Sequence, residues 1–241
     1  MKFKFLYLIG LAMAAAPVFQ SCSDDDDSSL NSYTAVVTVV PLSDNSFEMN
    51  LTNEVKLIPT NMTASPFKDE EVRALINYNY DDETESSLRK VTVNWMDGIR
   101  TKKPVADKGE ENDKEYGKDC IEIVKDWVTV AEDGYLTLRI RTKWGQHGAK
   151  HEVNLLSGVN PENPYEFELR HNANGDTYGD FGDALIAFNL NELIESDGTP
   201  VKIKINWESF SGPKSTEFEL LMRENKTDAD YSGINYSGRI D

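Results

Sequence analysis

The chain has 241 residues, with 42 acidic and 25 basic side chains, a formal charge of −17 and 39% hydrophobic content. That charge keeps a protein soluble and works against nucleic acid and anionic lipid headgroups; it suits a cationic partner, calcium or no partner at all. Only two cysteines occur, Cys22 and Cys120, so the fold has to rest on apolar burial rather than on a disulfide framework.

The first segment is an address. Lys2 and Lys4 precede an apolar run over residues 5–18, and Ser21 stands directly before Cys22. The run is shorter than the roughly 20 residues of a spanning helix and has the layout of a secretory leader. A small residue before a cysteine resembles a bacterial lipobox, in which the Cys22 thiol receives a diacylglyceryl group and becomes the first mature residue. Two or more acyl chains anchor stably where one does not. Residues 1–21 are therefore expected as a lipoprotein signal peptide and 22–30 as an acidic tether. Within the tether, Ser23, Asp24, Asp25, Asp26 and Asp27 resemble a surface-export signal of Bacteroidetes lipoproteins; a solvated, self-repelling spacer is the other reading. Without its leader the chain loses two of 25 basic residues, leaving 23 against 42 acidic, near −19. With Cys22 lipidated, Cys120 has no intrachain partner and is expected as a small buried residue beside Ile121 and Ile123.

Period-two alternation dominates the rest, the pattern of half-buried strands. An apolar run at 33–40 is followed by Phe47, Met49 and Leu51, by a short run at 55–58, by Val72, Ala74, Ile76 and Tyr78, and by Val91, Val93 and Trp95. Five short strands over 31–103 suit a small closed barrel, since closure removes exposed edges. Residues 104–118 lack periodicity and nearly all apolar content and are expected as an acidic linker. Alternation resumes with 121–130, Leu136-Leu138-Ile140, Val153-Leu155, Tyr165-Phe167-Leu169, 184–190, Val201-Ile203-Ile205-Trp207 and Phe218-Leu220-Met222. About seven strands separated by Gly, Asn, Asp and Pro turns predict a β-sandwich over 119–224. A short helical turn is expected at 190–196, and a polar, frayed tail at 225–241. The fold class is all-β: a five-stranded OB-like barrel, then a sandwich.

Chemistry-bearing residues are sparse. Among the histidines, His147 and His151 are four apart, but Gly145 and Gly148 oppose the helix that would align them for zinc. By strand phase His151 and His171 belong to the inner face, so hydrogen-bonded core-edge histidines are expected. Residues 172–183 concentrate oxygen ligands and glycines; Asn174, Asp176, Asp180 and Asp183 are the calcium candidates, and the same residue types are ordinary turn formers. Trp144 and Tyr178, with Trp127 and Tyr135, are candidates for a sugar-stacking surface, with core or edge packing as the other reading. The barrel segment 31–103 holds 8 basic and 11 acidic residues and no basic stripe, which argues against nucleic acid. No Gly-x-Ser-x-Gly elbow, phosphate loop or His-Glu-x-x-His run occurs. A non-enzymatic role without cofactor is expected.

Several stretches together resemble the NigD-like lipoproteins of the Bacteroidetes. They are Ser21-Cys22-Ser23 with the aspartates after it, Thr38-Val39-Val40-Pro41-Leu42, Val91-Thr92-Val93-Asn94-Trp95, Asp126-Trp127, Lys150-His151-Glu152-Val153, and Leu169-Arg170-His171-Asn172-Ala173, the most distinctive of the set. The resemblance covers nearly the whole chain from about residue 20 to 223. It implies an N-terminal OB fold, a C-terminal β-sandwich and an association with bacteriocin production or immunity, and it carries over no catalytic residue. The expected protein is lipid-anchored at the outer membrane or cell surface. Its partners would be the membrane through Cys22 and an extracellular or periplasmic ligand, such as a glycan or a cationic peptide.

Overall fold

Alternating apolar residues close the first half of the molecule into a barrel. The computed structural model describes residues 32–42, 45–145, 149–193, 199–223 and 240–241. The lipidation site Cys22, the export residues Ser23 to Asp27, and His147 lie outside them, as do part of the expected turn at 190–196 and all but the end of the tail. Strands β1 (Tyr33–Pro41), β2 (Phe47–Asn50), β3 (Lys56–Pro59), β4 (Val72–Tyr80) and β5 (Leu88–Gly98) close in the order β1-β2-β3-β5-β4. Val37, Val39, Met49, Leu57, Ala74, Ile76 and Val91 fill the interior and are fully buried, as the period of two requires.

The same chain then runs straight into a sandwich. Ile99 separates β5 from β6 (Arg100–Lys102), which pairs in parallel with β13 (Asp180–Asn189). The barrel thus ends at Gly98, and residues 100–102, expected in the first domain, belong to the second. One sheet has the order β6-β13-β10-β8, with β10 at Tyr135–Trp144 and β8 at Glu122–Val124; β9 (Val130–Glu132) pairs with β10 off this path. The other sheet has the order β15-β14-β12-β11-β7, from β7 (Val105–Ala106), β11 (Glu152–Ser157), β12 (Glu166–Asn172), β14 (Val201–Ser209) and β15 (Gly212–Leu220). Leu138, Leu155, Phe167, Ile186, Phe188, Ile203 and Ile205, all fully buried, lie in the core between the sheets.

Residues 104–118 are not an unstructured linker. They form β7, a 3-10 turn at Gly109–Glu111 and a short helix α1 (Asn112–Tyr116). Asn112 and Tyr116 are buried. Asn112 closes the turn, accepting from Lys108 N at 2.8 Å and donating to Asp107 at 2.6 Å, while the Tyr116 hydroxyl donates to the Ala106 carbonyl at 3.1 Å. Polar side chains satisfy the backbone here, so low apolar content does not prevent order. The end of the chain is also docked. Ile240 is buried in the sandwich core and bridges His151 in parallel.

Barrel and sandwich meet over an apolar patch in which Val36 and Ile99 join Val128 and Ala187. A polar cluster lies beside it. Arg73, wholly buried, donates to Thr38 at 2.9 Å and to Thr137 at 3.3 Å and pairs with Glu132 at 2.7 Å. Arg223 holds Asp133 and Glu71, at 2.6 and 2.8 Å. The Tyr135 hydroxyl donates to Glu71 at 2.5 Å, and both guanidinium groups lie over its ring.

Candidate functional site

One end of the sandwich gathers most of the chemistry-bearing residues. Cross-strand register sets Val153 of β11 opposite His171 of β12. His151 lies two residues before Val153, on the same inward face, so the two imidazoles meet: His151 Nδ1 and His171 Nε2 are 2.9 Å apart. His171 Nδ1 faces the Cys120 carbonyl at 3.1 Å, which can only accept, so this nitrogen carries the proton and His171 Nε2 accepts from His151. His151 Nε2 faces Asp176 Oδ2 at 3.3 Å, and Asp176 Oδ1 accepts the Gly145 N–H at 2.9 Å. The Trp144 ring covers His151, with centroids 4.2 Å apart.

The chain of three is sealed: His151, His171 and Asp176 are each no more than 1% exposed. Burial, and then the neighbouring His151, push the His171 pKa down to about 4, against the opposing pull of the Cys120 carbonyl and Asp119. The strand-phase reading of His151 and His171 as hydrogen-bonded inner residues agrees with this geometry. Their pairing with each other and with Asp176 needs the register, which the sequence does not display.

The calcium candidates do not converge. Asp176 is spent on His151 and Gly145, and Asp183 is held by Arg139 and Arg141 at 2.5 and 2.6 Å, which keep its carboxyl below the usual range. Asn174 donates to the Lys150 carbonyl at 2.7 Å, and Asp180 is exposed beside its strand partner Trp144. Among the described residues, no group of three or more His, Cys, Asp or Glu is placed to hold a metal.

The aromatic candidates separate too. Trp144 is half-buried, its indole N–H donating to the Gly182 carbonyl at 2.9 Å and its ring occupied by His151. Tyr135 is wholly buried at the joint with the barrel. Tyr178 is 77% exposed, and two aromatics outside the candidates read from the sequence are exposed as well, Phe181 at 56% and Phe210 at 41%. Phe181 and Phe210 meet edge to face at 5.1 Å, with Lys143 5.9 Å from each ring centre. Their signals were available: Phe181 falls on the outward phase of β13, and Phe210 stands in the tight Ser209-Phe210-Ser211-Gly212 hairpin turn, where an apolar residue has no core to enter.

Beside this patch is a depression of about 380 Å³, lined by Cys120, Thr142, Lys143, Thr177 and Phe210 among others. Cys120 is half-buried and free, not fully buried as expected. Burial and the carboxylates of Glu208, Asp119 and Glu122 push its thiol pKa up, which leaves it a poor nucleophile. A larger hollow of about 620 Å³ lies over the outer side of β12 and β14. Its charges are largely paired with one another, Arg170 with Asp113 and Glu168 and Lys118 with Asp113, the arrangement of a solvated face.

Comparison with known proteins adds the family. A model of the NigD-like N-terminal OB domain matches residues 36–99, and one of the NigD-like C-terminal beta sandwich domain matches residues 103–220. The chain belongs to the NigD-like family. Among solved structures, a toxin-related protein of Parabacteroides distasonis is 30% identical, with a TM-score of 0.67 over 79% of this chain and 94% of that one. A NigD-like immunity protein of Bacteroides caccae (17% identity, TM-score 0.57, 78% and 97% covered) and a lipoprotein of Bacteroides fragilis (15%, 0.57, 79% and 98%) share the fold. No curated protein matches the sequence. The family match agrees with the resemblance drawn from the sequence, and the barrel and sandwich are the two domains it implied.

Proposed function

We propose that this NigD-like chain is a lipid-anchored protein of the cell envelope that works as a binding or accessory protein, and that it engages its partner at the sandwich end. The observation that carries the reading is the exposed Phe181–Phe210 pair, with Phe210 bordering a depression and Tyr178 exposed three residues before Phe181, while His151, His171 and Asp176 are buried. Exposed aromatic clusters mark interaction sites, since aromatic anchors supply most interface energy. Catalysis needs a nucleophile or base within reach of substrate. Here His151, His171 and Asp176 are each no more than 1% exposed, though His171 borders the depression, and the half-buried thiol is held in its protonated form.

The anchor rests on Cys22 after its leader, and the run Asp24 to Asp27 supports export to the outer surface. Cells fed an alkyne fatty acid should incorporate label into the protein, and Cys22→Ala should abolish it; an unlabelled wild-type chain rejects the anchor. Among partners, a cationic toxin peptide fits best, given the mature charge near −19 and the toxin-related protein at 30% identity. Deleting the gene should sensitise cells to a toxin from the same locus. The wild-type gene should restore survival and Phe181→Ser with Phe210→Ser should not. Unchanged survival on deletion overturns the immunity reading, and full rescue by the double variant overturns the site.

A further inference from the structure

The outer face of the barrel carries a second surface, independent of the sandwich end. Strand pairing sets Thr34 of β1 beside Asn77 of β4, and Asn77 beside Trp95 of β5; two residues along, Asn79 lies beside Thr92. The β4–β5 register shifts between Asn77 and Tyr78, which leaves Asn94 without a strand partner of its own. Such bulges re-aim side chains and recur beside functional sites. Asn94 donates to Asn77 Oδ1 and to Asn79 Oδ1, each at 2.7 Å, and Asn77 donates to Thr34 Oγ1 at 3.0 Å. This lattice fixes three amides and leaves the Asn79 Nδ2 donors and the Asn94 Oδ1 acceptor with no partner among the described residues. Trp95 is 43% exposed, and no described residue bonds to or stacks on its indole.

The geometry points to a docking platform for a neutral polysaccharide. Thr34, Asn77, Asn79, Thr92, Asn94 and Trp95 are all uncharged, in a chain of 28% charged residues. Asp81 at the rim is taken up by Thr60 and Thr92, at 2.6 and 2.8 Å, and Asp97 lies one row nearer the sandwich. Lys90 is exposed two residues beyond Thr92 on β5, but a phosphate- or sulfate-bearing polymer would need several lysines or arginines on the platform itself, and a protein partner would find one large apolar side chain where interfaces use clusters. A pyranose presents a C–H face to an indole and hydroxyls that both donate and accept, which matches the spare groups of Asn79 and Asn94. The platform lies on β1, β4 and β5, not on the strand 2–3 face through which barrels of this kind bind ligands.

Affinity electrophoresis of the purified full chain through gels containing dextran, mannan, xylan or starch tests this, with heparin and polygalacturonate gels and a labelled single-stranded DNA as charged comparisons. Retardation by at least one neutral polymer and by none of the charged ones is expected. Trp95→Ala should weaken it about tenfold, Trp95→Phe should restore most of it, and Tyr178→Ala at the sandwich end should leave it unchanged. Should Trp95→Ala fail to fold, Asn79→Ala with Asn94→Ala supplies the same readout. Free migration in all four neutral gels, retardation indifferent to Trp95 and the two asparagines, or preferential binding of DNA overturns the proposal.

Discussion

His171 is the residue whose protonation the fold resists most plainly. Its Nε2 accepts from His151, so a proton added there sets N–H against N–H inside a sealed core. The folded pKa of about 4 lies below the ordinary 6.5, so below pH 6.5 the unfolded chain binds the proton that the native chain refuses. Stability is therefore full above pH 6.5 and declines as pH falls towards 4, by about 3 kcal/mol for this one group. Urea titrations at pH 7 and pH 4.5 should register that loss. His171→Gln should be less stable at pH 7, having lost the bond to His151, yet should fall less between the two pH values. A variant with the same slope as wild type would assign the acid sensitivity to other groups.

At the scale of elements, Ile240 and Asp241 act as a strand added to β11 at His151–Val153, the stretch of its edge that β7 leaves open. Asp241 N donates to the His151 carbonyl at 2.9 Å, Val153 N donates to the Asp241 carbonyl at 2.8 Å, and Arg100 Nε donates to the Ile240 carbonyl at 3.1 Å. Ile240 is 2% exposed within the sandwich core, so Ile240→Ala should cost about 2–5 kcal/mol in chemical denaturation. It should also speed hydrogen exchange at the Val153 amide; unchanged exchange there would mean the added strand persists without its side chain. The sequence shows none of this, because a two-residue strand has no period to detect. Where alternation is long the reading succeeds: Val201, Ile203, Ile205 and Trp207 face inward on β14 as their spacing says. It fails at 104–118, where order comes from Asn112 and Tyr116 bonding to backbone rather than from an apolar face. The candidate site was half legible. Tyr178 and the inward phase of both histidines could be read, whereas the His–His–Asp chain and the Phe181–Phe210 pair depend on which strands become neighbours.

At the scale of the whole molecule, the cluster around Tyr135 decides whether barrel and sandwich unfold as one body. Each has its own core, and each is large enough to melt separately if the contacts between them are weak. Arg73 on β4 reaches Thr137 and Glu132 of the sandwich, and Arg223 of the sandwich reaches Glu71 next to β4. Burial alone would lower the Arg223 pKa, but Asp133 and Glu71 reverse that and raise it, so the Arg223 charge stays in place at any ordinary pH. Removing Arg73 strands the buried hydroxyls of Thr38 and Thr137 and leaves Glu132, itself only a quarter exposed, without its cation. Arg73→Ala should therefore cost about 3–5 kcal/mol, whereas Arg73→Met, which fills the space but also leaves Glu132 unpaired, should recover only the packing part; Arg73→Met with Glu132→Gln should approach wild type. Scanning calorimetry should give one transition for the wild-type chain and two for Arg73→Ala, the barrel melting first because its core is the smaller. A single transition shifted as a whole in Arg73→Ala would place the coupling instead in the apolar patch of Val36, Ile99, Val128 and Ala187.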